Sequence, residues 1–280
     1  MAVCYDVREF LGHANVTATS RYLQTTPVRL VEAMMTRSLR VLILLVTVSA
    51  SAVAQSTTPD TVHEPRSGTP FPVSLTPPGG TTPHWIMGTA IRQRTIFRVK
   101  IYAFGLYVNP EGARASLSPF TGVALSILER NASFYRQLLD LDFAMTLRLV
   151  MLRTVSGDDV AEAFDDVLRP RMTRPLTDTN TPDESVALER FRGYFDVDEV
   201  RKGTEIVFSC VPAGRLVALV GGDERPPIDS RTLCRALFDV YLGDDPISGE
   251  GKRSVIAGFP ALLVAAEESQ SPLGDANREP

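Results

Sequence analysis

"IRQRTIFRVKIYAFGLYV", residues 91–108, alternates from Ile96 onward with the two-residue period of a β-strand. One face carries Ile96, Arg98, Lys100, Tyr102, Phe104 and Leu106; the other carries Phe97, Val99, Ile101, Ala103, Gly105 and Tyr107. Both faces are largely apolar, which predicts a strand buried on one side and at least half covered on the other. The cations and tyrosine of the first face, with Arg92 and Arg94 just upstream, have two readings. They are turn and edge cations beside a core tyrosine, or they reach into a site. Taken alone, the stretch leaves both open.

Working outward, strand patterns also occupy 71–76, 84–92, 143–154, 204–211 and 214–220, and Ala213-Gly214 joins the last two as a hairpin. Helical signals lie at 131–140, capped by Asn131, and from Ser156, where Val160, Ala163, Phe164, Val167 and Leu168 form one stripe. A short helix is expected at 185–194. Another opens at Asp229 or Ser230, buries Leu233, Leu237, Val240 and Tyr241, and stops at Gly243. Strands come early and in the middle, helices between and after, without βαβ alternation. That order predicts an α+β domain, one antiparallel sheet covered by a layer of helices. Gly88 and Gly105 are read as positions of bending or close approach.

The three histidines, His13, His63 and His84, stand apart from clustered Cys or carboxylates, so no metal or cofactor is expected. Cys210 and Cys234 could pair in an oxidising compartment, but each lies in an apolar pattern and buried free thiols are expected. The net charge of −4 gives no basis for a nucleic-acid partner or an anionic membrane surface.

The N-terminal fifth reads as something other than fold. Residues 35–54, "MTRSLRVLILLVTVSASAVA", have Arg37 and Arg40, an apolar run from Val41 to Val48 and an Ala52-Val53-Ala54 cleavage site. This is the order of a secretory signal peptide, and the run is too short for a stable membrane span. The expected mature chain starts at Gln55 and is periplasmic or secreted. Residues 1–34 contain "LGHANVTATSRYLQT", which resembles the closing segment of tyrosine recombinases, with His13 and Tyr22 at the matching places. The catalytic core of that family is missing, so 1–34 is read as a foreign extension ahead of a start at Met35. Residues 55–70 are expected to be a flexible linker, 71–268 the domain and 269–280 a flexible tail.

Four pieces in order then resemble the chalcone-isomerase-like family: the Gly-x-x-x-Arg and "VKIYAFGLYV" hairpin, "LRLVMLRTVSGDDVAEAFDDVL", "KGTEIVFSCVPAGRLVALV" and "LCRALFDVYLGDDPIS". The resemblance spans about 180 residues and leans toward the fatty-acid-binding and bacterial branches. It implies an open-faced β-sandwich with a ligand cleft between sheet and helices. In that family an arginine ahead of the long strand reaches into the cleft, beside a polar residue in Lys-x-(Thr or Tyr)-Ala-x-Gly. Those positions are Arg92 and Tyr102 here, and the tyrosine follows the fatty-acid-binding branch. A guanidinium fork and a phenol suit a carboxylate, while Phe104 and Leu106 would suit an acyl tail. Arg94, Arg98 and Lys100 are left at a solvated edge.

The enzyme branch calls for a Tyr, a Lys and an Asn along the helix after the second long strand. "SGDDVAEAFDDVL" contains none of them, and the strand threonine is replaced by Tyr102. The expectation is therefore an exported protein that binds a fatty acid or similar apolar carboxylate without catalysis. The alternatives are an intramolecular lyase acting on a flavonoid-like enone, and a structural module whose cleft is filled by its own side chains.

Overall fold

The computed structural model describes residues 60–94, 99–173 and 184–264. The recombinase-like segment, the signal-peptide pattern, Arg98, the side chain of Arg94 and the C-terminal tail lie outside the described residues. The chain opens with β1 (Thr61–His63), β2 (Pro70–Pro72) and β3 (Ser74–Leu75), followed by the long hairpin β4 (His84–Arg94) and β5 (Val99–Val108). Three short helices follow, α1 (Pro110–Ser116), α2 (Leu125–Leu128) and α3 (Ala132–Leu139), then β6 (Met145–Met151), β7 (Val155–Ser156) and α4 (Gly157–Met172). Next come α5 (Glu184–Arg192), β8 (Glu199–Val200), β9 (Glu205–Val211), β10 (Arg215–Val220) and β11 (Asp223–Asp229). Helices α6 (Arg231–Leu242), α7 (Gly249–Ile256) and α8 (Phe259–Val264) close the described chain.

Seven strands pair antiparallel in the order β11-β10-β9-β6-β5-β4-β3, a curled sheet whose inner face the helices cover. This is the expected α+β architecture. The alternation of β5 explains its central place. Phe104, Leu106 and Val108 enter the main core beneath the helices, while Ala103 and Tyr107 join Phe71 and Ile91 in a second cluster on the outer face. Both faces are thus covered, and Gly105 is the point of closest approach. A Cβ there would come within 2.7 Å of the Phe71 ring. Gly88 plays the same part on the inner side, where its missing Cβ lets the α7 backbone at Ser254 rest on β4. Thr89 N donates to Ser254 Oγ at 3.2 Å across that contact.

Residues 60–70 differ from the expected loose linker. β1 pairs with β2, and Glu64, 2% exposed, ties the turn between them by accepting from Arg66 N at 3.1 Å and Ser67 N at 2.7 Å. Arg148 of β6 sits 5.0 Å over the Phe71 ring and donates to Pro70 O at 3.1 Å. One buried aromatic and one buried carboxylate override a composition that by itself signals disorder.

The cysteines also depart from expectation. Cys210 on β9 and Cys234 on α6, with Cα atoms 5.9 Å apart, form a disulfide. Both lie in the apolar core as expected, but docking α6 on the sheet brings them into bonding range.

Candidate ligand cleft

Arg92 of β4 and Tyr102 of β5 are directly opposed in the sheet register. The next pairs are Gln93↔Lys100 and Arg94↔Val99, so Ile101 has no partner on β4 and forms a β-bulge. The bulge breaks the alternation read from the sequence. Val99 and Ile101 come to the cleft side with Tyr102, and all three line one cavity with Arg92. Lys100 swings to the opposite face, where it is exposed and its Nζ donates to Arg66 O.

That cavity measures about 670 Å3. Its sheet side is Leu149 and Met151 of β6 and Ile206 of β9, and its helix side is Val160, Ala163, Phe164 and Val167 of α4. The apolar stripe of α4 is therefore the roof of the cleft. α4 is held against α6 by an Arg171–Asp239 ion pair at 3.0 Å. Exposed Arg153, Asp159, Glu162 and Asp166 stand at the rim. Among the described residues no side chain fills this cavity.

Arg92 is half-buried, and its Nη1 donates to Ile247 O at 2.9 Å. Among the described residues no carboxylate pairs with it, and it lines the cavity with donors beyond the one given to Ile247 O. The Tyr102 hydroxyl lies 3.0 Å from that of Tyr241 on α6. Burial pushes the Tyr102 phenol above its ordinary value, against the opposing pull of the Tyr241 hydrogen bond and the Arg92 charge. Tyr241 is pushed further, by burial first and then by its tyrosine neighbour. Both phenols therefore keep their protons at neutral pH.

Phe104 and Leu106 are placed differently from the acyl-tail contacts suggested by the sequence. They are 1% and 0% exposed and do not line the cavity. Phe104 packs edge-on against Tyr241 at 4.8 Å between ring centres, beneath the site. Tyr241 itself was legible only as part of the buried stripe of α6. The available signal was its hydroxyl, since a buried tyrosine among aliphatic neighbours needs a polar partner. Among the described residues no group of three metal-ligating side chains converges, and no helix is long and apolar enough to cross a membrane.

A model of the chalcone–flavanone isomerase family matches residues 67–262, which include both hairpins, the roof helix and α6. The chain belongs to that family. Over 201 residues it is 32% identical to fatty-acid-binding protein 2 of Arabidopsis thaliana, covering 69% of this chain and 49% of that protein. The chain thus spans about half the length of that relative. It is 28% identical over 204 residues to a chalcone–flavanone isomerase of Zea mays, covering 69% of this chain and 87% of the enzyme. A crystal structure of a fatty-acid-binding protein of Arabidopsis thaliana superposes with a TM-score of 0.63 at 22% identity, over 73% of this chain and 99% of that one. The curled sheet with its helical layer is therefore the chalcone-isomerase-like fold. Within that fold the present chain has an arginine and a tyrosine lining one cavity, under a roof helix without Tyr, Lys or Asn.

Proposed function

We propose that this chain is an exported binding protein for a fatty acid or a similar apolar carboxylate, and that it does not catalyse ring closure. The observation that carries the reading is Arg92. It is a half-buried guanidinium with no carboxylate partner among the described residues, set beside a neutral phenol at a cavity whose sheet and roof walls are largely apolar and whose rim is charged. A partly desolvated cation of this kind favours an anion, and a carboxylate matches its fork. The cavity volume lies inside the usual range for small-molecule sites, roughly 300–1,000 Å3. Three acids against one arginine at the rim repel a carboxylate lodged there and leave Arg92 as the favourable end.

Relatives named as fatty-acid-binding proteins support this choice of ligand class. Export is supported by the signal-peptide pattern at 35–54 and by the Cys210–Cys234 disulfide, a bond typical of oxidising compartments. The deciding experiment is organic extraction and mass spectrometry of the purified protein, followed by titration with saturated acids of increasing length. Recovery or binding of straight-chain acids, with the matching alcohols bound poorly, is expected. Equal affinity for acid and alcohol would remove the carboxylate reading.

A further inference from the structure

The Tyr102–Tyr241 pair fixes more than the packing of two rings. Two phenols 3.0 Å apart share one hydrogen bond but own two protons, so one proton is left over. Tyr241 is 1% exposed, and among the described residues its hydroxyl has Tyr102 as its sole hydrogen-bond partner. Were Tyr102 the donor, the Tyr241 proton would be stranded in packed core, desolvated with no acceptor. Tyr102 lines the cavity, so its proton has solvent or ligand to meet. Arg92 offers only donors and cannot take that proton.

We infer that Tyr241 is a positioning residue: it donates to the Tyr102 oxygen and so turns the Tyr102 O–H into the cavity, toward a carboxylate held by Arg92. This rests on the carboxylate-binding reading above. Accepting one bond polarises the Tyr102 hydroxyl and makes it the stronger donor. The surroundings of Tyr241 keep it in register. Phe104 meets its ring edge-on at 4.8 Å, the Cys210–Cys234 disulfide ties α6 to β9, and Arg171 grips Asp239 two residues earlier on the helix.

The test is a double-mutant cycle read by calorimetry with decanoate, using the purified protein and its Tyr102→Phe, Tyr241→Phe, doubly substituted and Arg92→Ala variants. Tyr241→Phe is expected to weaken decanoate binding about two- to tenfold, the scale of one neutral hydrogen bond. In the Tyr102→Phe background the same change should have no further effect, because there is no longer a proton to orient. Additive losses would overturn the inference, since a merely structural hydroxyl acts whatever stands at 102. A harmless Tyr241→Phe alongside a damaging Arg92→Ala would also overturn it, while leaving the carboxylate reading intact. No decanoate binding by the parent protein would overturn both. Should Tyr241→Phe fail to fold, deuterium isotope shifts at tyrosine 13Cζ in the parent protein decide. The Tyr241 hydroxyl should exchange slowly with or without decanoate, and that of Tyr102 only with it; the reverse pattern overturns the assignment.

Discussion

Arg92 and Tyr102 face each other across β4 and β5 at the last regular pair before the unpaired Ile101. Their opposition gives the site its geometry, and the bulge removes Lys100 from it. If Arg92 clamps a carboxylate, Arg92→Ala should weaken fatty-acid binding by about 1.5–3 kcal/mol, the range for hydrogen bonds to charged groups. Tyr102→Phe should cost less, because it deletes one hydroxyl and keeps the ring. Lys100→Ala should leave affinity unchanged, since that side chain points to the other face. Titration calorimetry on folded variants reads all three, and a harmless Arg92→Ala would reduce the arginine to an edge cation.

Chalcone cyclisation should be negligible. General acid–base groups typically contribute about 10²–10⁴-fold each, and the roof helix, which turns Val160, Ala163, Phe164 and Val167 to the cavity and Asp159, Glu162 and Asp166 to its rim, has none of the Tyr, Lys and Asn that the enzyme resemblance calls for. Incubation with a chalcone, followed by absorbance, checks this. Turnover near that of a median enzyme, about 10 s⁻¹, would favour an intramolecular lyase.

What the sequence disclosed follows from which forces are local. The strands of the central sheet announce themselves by alternation, and α6 by its ends: Ser230 Oγ accepts from Leu233 N at 3.0 Å, and Gly243 ends the helix. β11 was hidden because Pro226 and Pro227 argue against a strand, although it lies at the sheet edge where proline is tolerated. The turn before it, Gly221-Gly222 with φ of 66° and 94°, was a readable hairpin signal. α1 has an Asn109 cap and Pro110 at its first position, but seven residues are too few to show a period. At the site, Arg92 and Tyr102 were visible through family resemblance. No local feature marks the bulge at Ile101, and neither the Tyr241 hydrogen bond nor the disulfide exists until α6 docks on the sheet.

Processing is predicted from the order of charge, apolar run and Ala-x-Ala at 35–54. Exported protein should begin at Gln55. Amino-terminal sequencing that finds residues 1–34 still attached would sink both the signal peptide and the start at Met35.

Reduction of Cys210–Cys234 should destabilise the fold substantially. The bond closes a loop with a sequence separation of 24, for which chain-entropy reasoning gives about 3 kcal/mol. Urea unfolding with and without reductant, or of a Cys210→Ala/Cys234→Ala variant, measures the difference. A loss well under about 1 kcal/mol would mean that the unfolded chain is already constrained there.

Acid should weaken the fold through His84. This residue is 3% exposed at the start of β4, with Nδ1 2.9 Å from Thr146 Oγ1, which in turn donates to Ser209 Oγ at 3.0 Å. Because the Thr146 proton is committed to Ser209, Nδ1 must be the donor and the ring the neutral Nδ1–H tautomer. Burial lowers its pKa from the ordinary 6.5 to about 4. The folded state therefore resists a proton that the unfolded chain takes up, so the unfolded state binds more protons between those two values. The stabilisation is complete above pH 6.5 and declines as the pH falls toward about 4. Urea unfolding at pH 7 and pH 5 should show parent stability falling between them. His84→Asn, which retains a donor for Thr146 but cannot titrate, should show a smaller fall whatever its absolute stability. Equal slopes in the two proteins would mean that His84 protonates inside the fold without penalty.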